Sequence, residues 1–135
     1  MLGLALAALC AGAGCGSQGT LSAKALGQQS KSVQSLAAEG ALLAQDAAAG
    51  KSTGTFRREH SAELAAAAAT AAASLGSAKT PPPLVPKLRR LESVAHRVAA
   101  DLERLGHAST EEQRTLARTL EAAARQSERI GEELA

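Results

Sequence analysis

Each of the three histidines lies within one helical turn of a glutamate, a spacing that suits metal binding. The pairs are His60 with Glu63, His96 with Glu92, and His107 with Glu103. On a helix, residues three or four apart share a face, so each pair offers an imidazole and a carboxylate to one ion. Ferritin-like sites also need Glu-x-x-His motifs on two helices, and the chain has none. We therefore interpret the pairs as solvated neighbours and keep a metal-binding bundle as the alternative.

Catalytic patterns are sparse in the sequence. The chain contains no H-E-x-x-H or CxxC motif, and Gly50-Lys51-Ser52-Thr53-Gly54 fits G-x-S-x-G by residue type alone, without the strand that leads into that motif in hydrolases. Gly50-Lys51-Ser52 matches the end of a phosphate-binding loop, but Gln45 occupies the position of its first glycine and no strand precedes it. The sequence therefore predicts a protein that is not an enzyme and that carries no cofactor.

A basic cluster flanks the three consecutive prolines at positions 81–83. It consists of Lys79, Lys87, Arg89 and Arg90. One interpretation is contact with anionic lipid headgroups or with an acidic cell-envelope polymer, through Lys87, Arg89 and Arg90. The other is ordinary solubilising charge at the start of a helix. Basic residues there oppose the helix dipole, which indicates that another interaction retains them.

Overall composition argues against nucleic acid as a partner. The chain has 15 basic and 13 acidic residues, a net charge of +2, and its sole aromatic residue is Phe56. Binding of single strands normally uses several aromatic stacking platforms, and binding of duplexes needs a strong excess of basic charge. We therefore predict no nucleic-acid partner.

The first fifteen residues carry no charge and end in Gly12-Ala13-Gly14-Cys15. Their apolar stretch, Leu2 to Gly14, has the length of the core of an export signal and is shorter than the roughly 20 residues that span a bilayer. The alternatives to an export signal with lipid attachment are secretion without a lipid and an alanine-rich N-terminal helix that is not cleaved. Export signals normally begin with basic residues, so we expect the true start codon upstream of Met1.

The residues around Cys15 resemble the lipobox of bacterial lipoproteins, in which Leu, a small residue and Gly or Ala precede the acylated cysteine. Gly12 replaces the usual leucine, and the other positions fit. Cys10 fits less well, because the bulky Leu9 precedes it. The chain thus resembles small lipoproteins of high-GC Gram-positive bacteria. This resemblance implies lipidation at Cys15 and a location at the outer face of the cell membrane.

We assign residues 1–15 to the export segment. Glycines, prolines and polar residues divide the rest of the chain into a tether at 16–20 and an alanine-rich domain at 21–135. We predict helices at about 21–49, 56–75, 83–105 and from Ser109 to the C-terminus. Gly50, Gly76 and Gly106 are each expected to end a helix in a left-handed conformation. Thr55 is expected to cap the second helix, and Ser109 with Glu112 to form a capping box. The segment containing the prolines, from 77 to 86, should be extended.

Apolar periodicity supports an all-α, antiparallel four-helix bundle with left-handed packing, in which neighbouring helix axes cross at about 20°. It would consist of two helical hairpins, 21–76 and 84–135, joined by a Pro-rich linker at 77–83. In the first helix, Gly40 falls on the apolar stripe, which indicates close approach of a neighbouring helix. The stripes expected to face the core are Leu26, Val33, Leu36, Gly40, Leu43 and Ala47; Leu84, Leu88, Leu91, Ala95, Val98, Leu102 and Leu105; and Gln113, Leu116, Leu120, Ala123, Ser127, Ile130 and Leu134.

The second helix has almost no pattern of its own, because residues 65–73 are alanine except for Thr70. One interpretation is a closely packed face of Leu64, Ala68, Ala71 and Leu75; the other is alanine enrichment from a GC-rich genome. Alanine is the best helix former, so a helix is predicted in either case. From all of these features we expect a membrane-anchored lipoprotein whose helical domain serves a structural or protein-interaction role.

Overall fold

The computed structural model describes residues 19–135, which form four α-helices. These are α1 (Ala23–Ala48), α2 (Gly54–Ser77), α3 (Val85–Leu105) and α4 (Thr110–Glu132), with a 3₁₀ turn at Pro82–Leu84. Residues 19–135 contain no strand, and the predicted all-α class is confirmed. The predicted export segment, including Cys10 and Cys15, and the first part of the predicted tether lie outside the described residues.

Hydroxyl side chains cap the starts of α1, α2 and α4, whereas α3 has no side-chain cap. Ser22 accepts a hydrogen bond from the Ala25 backbone N–H at 3.1 Å. Thr53 does the same for Phe56, so the expectation that Thr55 caps the second helix is wrong. The helix starts two residues earlier than predicted, and Thr55 lies inside its first turn, where it cannot act as the cap. The capping box between Ser109 and Glu112 is confirmed, with both reciprocal bonds formed.

Left-handed geometry is confined to one of the three glycines for which it was expected. Gly50 has a φ of 71° and follows the end of α1. Gly76 instead lies inside α2, and Gly106 has a φ of −55°, so the prediction is wrong at both positions. After Gly106 the chain continues in a right-handed turn, in which the His107 N–H donates to the Arg104 carbonyl. A right-handed turn needs no glycine.

The proline segment is extended only in part. Ala78 and Pro81 have extended backbone angles, but Pro82–Leu84 forms a 3₁₀ turn and α3 begins directly after it. The expectation of an extended chain up to residue 86 is therefore wrong. Proline is well tolerated in the first turn of a helix, where its missing N–H has no partner to lose.

The four helices pack as an antiparallel bundle in which the most extensive contacts join α1 to α4 and α2 to α3. Contacts within the successive pairs, α1 with α2 and α3 with α4, are less extensive. The two hairpins thus face each other and bury their apolar stripes between them.

The predicted stripes form this core, apart from partial exposure of Leu36, Leu84 and Leu134. In α2 the fully buried alanines are Ala68 and Ala72, whereas Ala71 is half-buried. A Cβ at Gly40 would overlap Cδ2 of Leu102, which confirms the predicted close approach. Four polar residues are also buried: Ser30, Ser61, Gln113 and Ser127.

Candidate functional site

His60 forms the most developed of the predicted histidine pairs. Its Nδ1 lies 3.5 Å from Glu63, as the spacing implied, while its Nε2 lies 2.8 Å from the carboxylate of Glu39 on α1. The Phe56 ring stacks on the imidazole, with centroids 5.4 Å apart. The two ring nitrogens face different carboxylates, so the imidazole links α1 to α2. One ring nitrogen and both carboxylates do not point at a common position, as the ligands of a single metal ion would.

The other two histidines lie in simpler surroundings. His96 lies 4.0 Å from Glu92, whose carboxylate also binds Arg89 at 2.7 Å. His107 is exposed in the turn between α3 and α4. Within residues 19–135, no three or more His, Cys, Asp or Glu side chains are grouped as a metal ion would require. The candidates His60, Glu63, His96 and Glu92 therefore remain as two separate pairs.

The basic cluster lies where the start of α3 meets the end of α4. The Lys87 ammonium donates to the backbone carbonyl of Glu133 at 2.8 Å, and the Arg90 guanidinium binds the Glu133 carboxylate with both terminal nitrogens. Arg90 lowers the pKa of the Glu133 carboxyl, and the same hydrogen bonds raise the pKa of Arg90. Lys87 and Arg90 thus bind the negative end of the α4 dipole, which explains basic residues at a helix start.

The strongest partners of His60 and Arg90 lie far from them in the sequence. Glu39 lies 21 residues from His60, and Glu133 lies 43 residues from Arg90. Neither carboxylate has a sequence neighbour that marks it as a partner. Only the antiparallel order of the helices brings each pair together.

The described chain enters the bundle beside the proline segment. The Leu21 N–H donates to the Lys79 carbonyl at 2.7 Å, and the Thr80 hydroxyl donates to the Leu21 carbonyl at 2.9 Å. We call the part of the bundle formed by residues 19–24, 78–90 and 132–135 the entry end. It contains the whole basic cluster, and the residues that lead back to Cys15 connect to it directly.

Large apolar side chains are exposed at three positions among the described residues: Leu42 (62%), Phe56 (53%) and Val85 (39%). Val85 lies at the entry end. Leu42 lies one turn beyond Glu39 on α1, and Phe56 lies one turn before His60 on α2. Within residues 19–135, no helix combines the length and the apolar character needed to cross a bilayer.

Comparisons of the chain with protein-family models, curated proteins and solved structures found no match.

Proposed function

We propose that this chain is an exported bacterial lipoprotein, anchored through Cys15 to the outer face of the cell membrane. Its helical bundle would act as a protein-interaction module. The observation that carries the proposal is the uncharged segment of residues 1–14, which ends in Gly12-Ala13-Gly14 directly before Cys15. A polar tether then leads into the bundle.

Cysteine usage and the construction of the bundle support this proposal. Both cysteines, Cys10 and Cys15, precede the described residues, so the bundle is held by packing without a disulfide. Lipid modification of Cys15 would therefore leave the core unaffected. Several acyl chains on one cysteine would hold the protein durably at the membrane, whereas a single chain binds only marginally.

The anchor can be tested by growth with an alkyne-labelled fatty acid. We expect the wild type and Cys10→Ser to incorporate the label and Cys15→Ser to lose it. A mass spectrum of the wild-type N-terminal peptide should begin at an acylated Cys15. An unlabelled wild type, or a peptide beginning at or before Met1, would contradict the proposal. Cys10→Ser is a matched control, because it makes the same chemical change five residues away.

The interaction role is supported by the exposed Leu42 and Phe56 on neighbouring helices. The ion pair between Glu39 and His60 joins α1 to α2, so the two helices that carry these exposed apolar side chains are held together. A photo-crosslinking residue at position 42 should give a discrete protein adduct in intact cells, and Phe56→Ser should weaken that adduct. The same probe at Thr115, an exposed position on α4, is the control. Equal adducts from both positions would contradict a specific surface.

A further inference from the structure

Charge is distributed unevenly along the long axis of the bundle. Dividing each helix at its midpoint gives an entry half (residues 19–35, 66–95 and 122–135) and a distal half (36–65 and 96–121). The entry half carries eight Lys or Arg and four Glu, whereas the distal half carries seven Lys or Arg and nine Asp or Glu. The net charge of +2 therefore arises from a basic entry half and a weakly acidic distal half.

The tip of the entry end combines this charge with apolar surface. Residues 81–83 are three exposed prolines, and the exposed Val85 follows them. Lys79 and Lys87 flank this apolar tip in sequence, and Lys24 lies in the first turn of α1. Apolar side chains surrounded by basic ones suit the interface of an anionic bilayer, where the apolar groups enter the headgroup layer and the cations meet phosphates.

The position of the tether brings this tip close to the lipid anchor. Residues 16–18 separate Cys15 from residue 19, where the entry end begins, and the four steps of chain from Cys15 to residue 19 span at most about 14 Å even when fully extended. Leu21 is hydrogen-bonded to Lys79, so the tether ends against the proline segment itself. An acylated Cys15 would hold the tip within a short distance of the headgroups. Membrane electrostatics act over about one Debye length, ~8 Å at physiological salt.

We infer that the entry end is a docking surface for anionic phospholipid headgroups, which orients the bundle with its distal half away from the membrane. This inference rests on the proposed lipid anchor and adds an orientation to it. The cations available for this contact differ from Lys87, Arg89 and Arg90, which the sequence indicated. Lys87 and Arg90 bind Glu133 and Arg89 binds Glu92, whereas the Lys24 and Lys79 ammonium groups form no ion pair within residues 19–135.

The test uses full-length, acylated protein in vesicles of phosphatidylcholine, either alone or with about 30% phosphatidylglycerol. A fluorophore is attached at Ser77→Cys near the entry end, or at Thr110→Cys at the distal end, and a headgroup nitroxide quenches it. In anionic vesicles we expect at least threefold stronger quenching at position 77 than at 110. Removing phosphatidylglycerol should lower the quenching at 77 at least twofold.

The charge variant is Lys24→Glu with Lys79→Glu, which breaks no ion pair of the described structure and places a favourable acid in the first turn of α1. It should lower the quenching at position 77 as far as removal of the anionic lipid does. The matched control is Lys51→Glu with Arg114→Glu, an equal charge change in the distal half, which should leave the quenching unchanged.

The outcomes separate the two proposals. Protein that floats with both kinds of vesicle, with equal quenching at the two positions, overturns the docking surface and leaves the anchor intact. Protein that floats with neither overturns the anchor, and the docking surface with it. Binding of soluble polyphosphate at the entry end, without closer approach to anionic vesicles, assigns the basic residues to a polymer and also overturns the inference.

Discussion

Helices α2 and α3 pack against each other, yet they contribute to the core in different ways. The buried face of α3 consists mainly of leucine and valine, at the spacing that its sequence displays. The buried face of α2 consists of Ser61, Leu64, Ala68, Ala72 and Leu75, from a stretch whose apolar residues surround the helix. The sequence of α3 therefore specifies its buried face, whereas packing against the neighbouring helices selects the buried face of α2.

Small residues in α2 allow the backbones to approach closely. The Cβ of an alanine built at Gly106 after α3 would lie 3.1 Å from Oγ of Ser61 on α2, so the end of α3 approaches α2 closely at that point. Residues 64–78 carry no charge, so only the exposed hydroxyl residues Thr70, Ser74 and Ser77 mark the solvent side of this part of α2. Its alanines therefore pack closely on the buried side and indicate little about which side faces solvent.

The largest effect should come from removing side-chain volume in α3. Leu102 is fully buried and lies against Gly40 of α1. Leu102→Ala should lower the free energy of unfolding by about 2–5 kcal/mol, because it loses apolar burial and leaves a cavity. Urea unfolding followed by circular dichroism measures this change. Leu42→Ala, at an exposed position, should stay within about 0.5 kcal/mol of wild type. Equal losses for both variants would contradict the described core.

Adding volume to α2 should have the next largest effect. Ala68 is 1% exposed, whereas the adjacent Ala67 is exposed to solvent. Ala68→Leu should cost about 1–3 kcal/mol by overpacking, and Ala67→Leu should change stability by less than about 0.5 kcal/mol. Thermal or urea unfolding of the two variants compares them directly. If both leucines were tolerated, α2 would have no fixed buried face.

Two glycines of α1 should respond in opposite ways to replacement by alanine. Gly40→Ala gains about 1 kcal/mol of helix propensity but forces the buried Leu102 to move, so we expect a net loss of about 1 kcal/mol. Gly27 lies in the same helix with no atom near its would-be Cβ. Gly27→Ala should therefore raise stability by about 0.5–1 kcal/mol. Opposite signs in matched unfolding curves are the expected result. A gain at both positions would show that Leu102 moves at no cost.

The smallest effect concerns the ion pair between α3 and α4. Because Arg90 lowers the pKa of Glu133 in the folded chain, the stabilisation is complete above the unfolded carboxyl pKa, about 4.3. It is lost as the pH falls through the lower, folded value. Arg90→Gln should slightly lower the urea midpoint at pH 7, and the difference from wild type should shrink as the pH falls below the unfolded carboxyl pKa and vanish once Glu133 is protonated in the folded chain. Arg129→Gln at the end of α4 is the control. A difference that persists at low pH would contradict the ion-pair origin.

Local chemistry in the sequence was sufficient to predict much of the fold. The Ser109 capping box and the stripes of the first, third and fourth helices were visible because each depends on residues three or four apart. The errors at Thr55, Gly76 and Gly106 concern helix ends, where several nearby residues can serve and packing decides among them. The partnerships of His60 with Glu39 and of Arg90 with Glu133 were not predictable, because each joins different helices.

Sequence alone is enough to define four helices, their approximate limits, the leucine-rich faces and the uncharged segment that ends at Cys15. These features follow from periodicity and composition, which act over a few neighbouring residues. The folded chain was needed to establish that α1 packs most extensively on α4 and α2 on α3, which alanines are buried, and that Lys87 and Arg90 bind the end of α4. Such choices depend on contacts between residues far apart in the chain, where the gain from packing one face exceeds any preference of the local sequence.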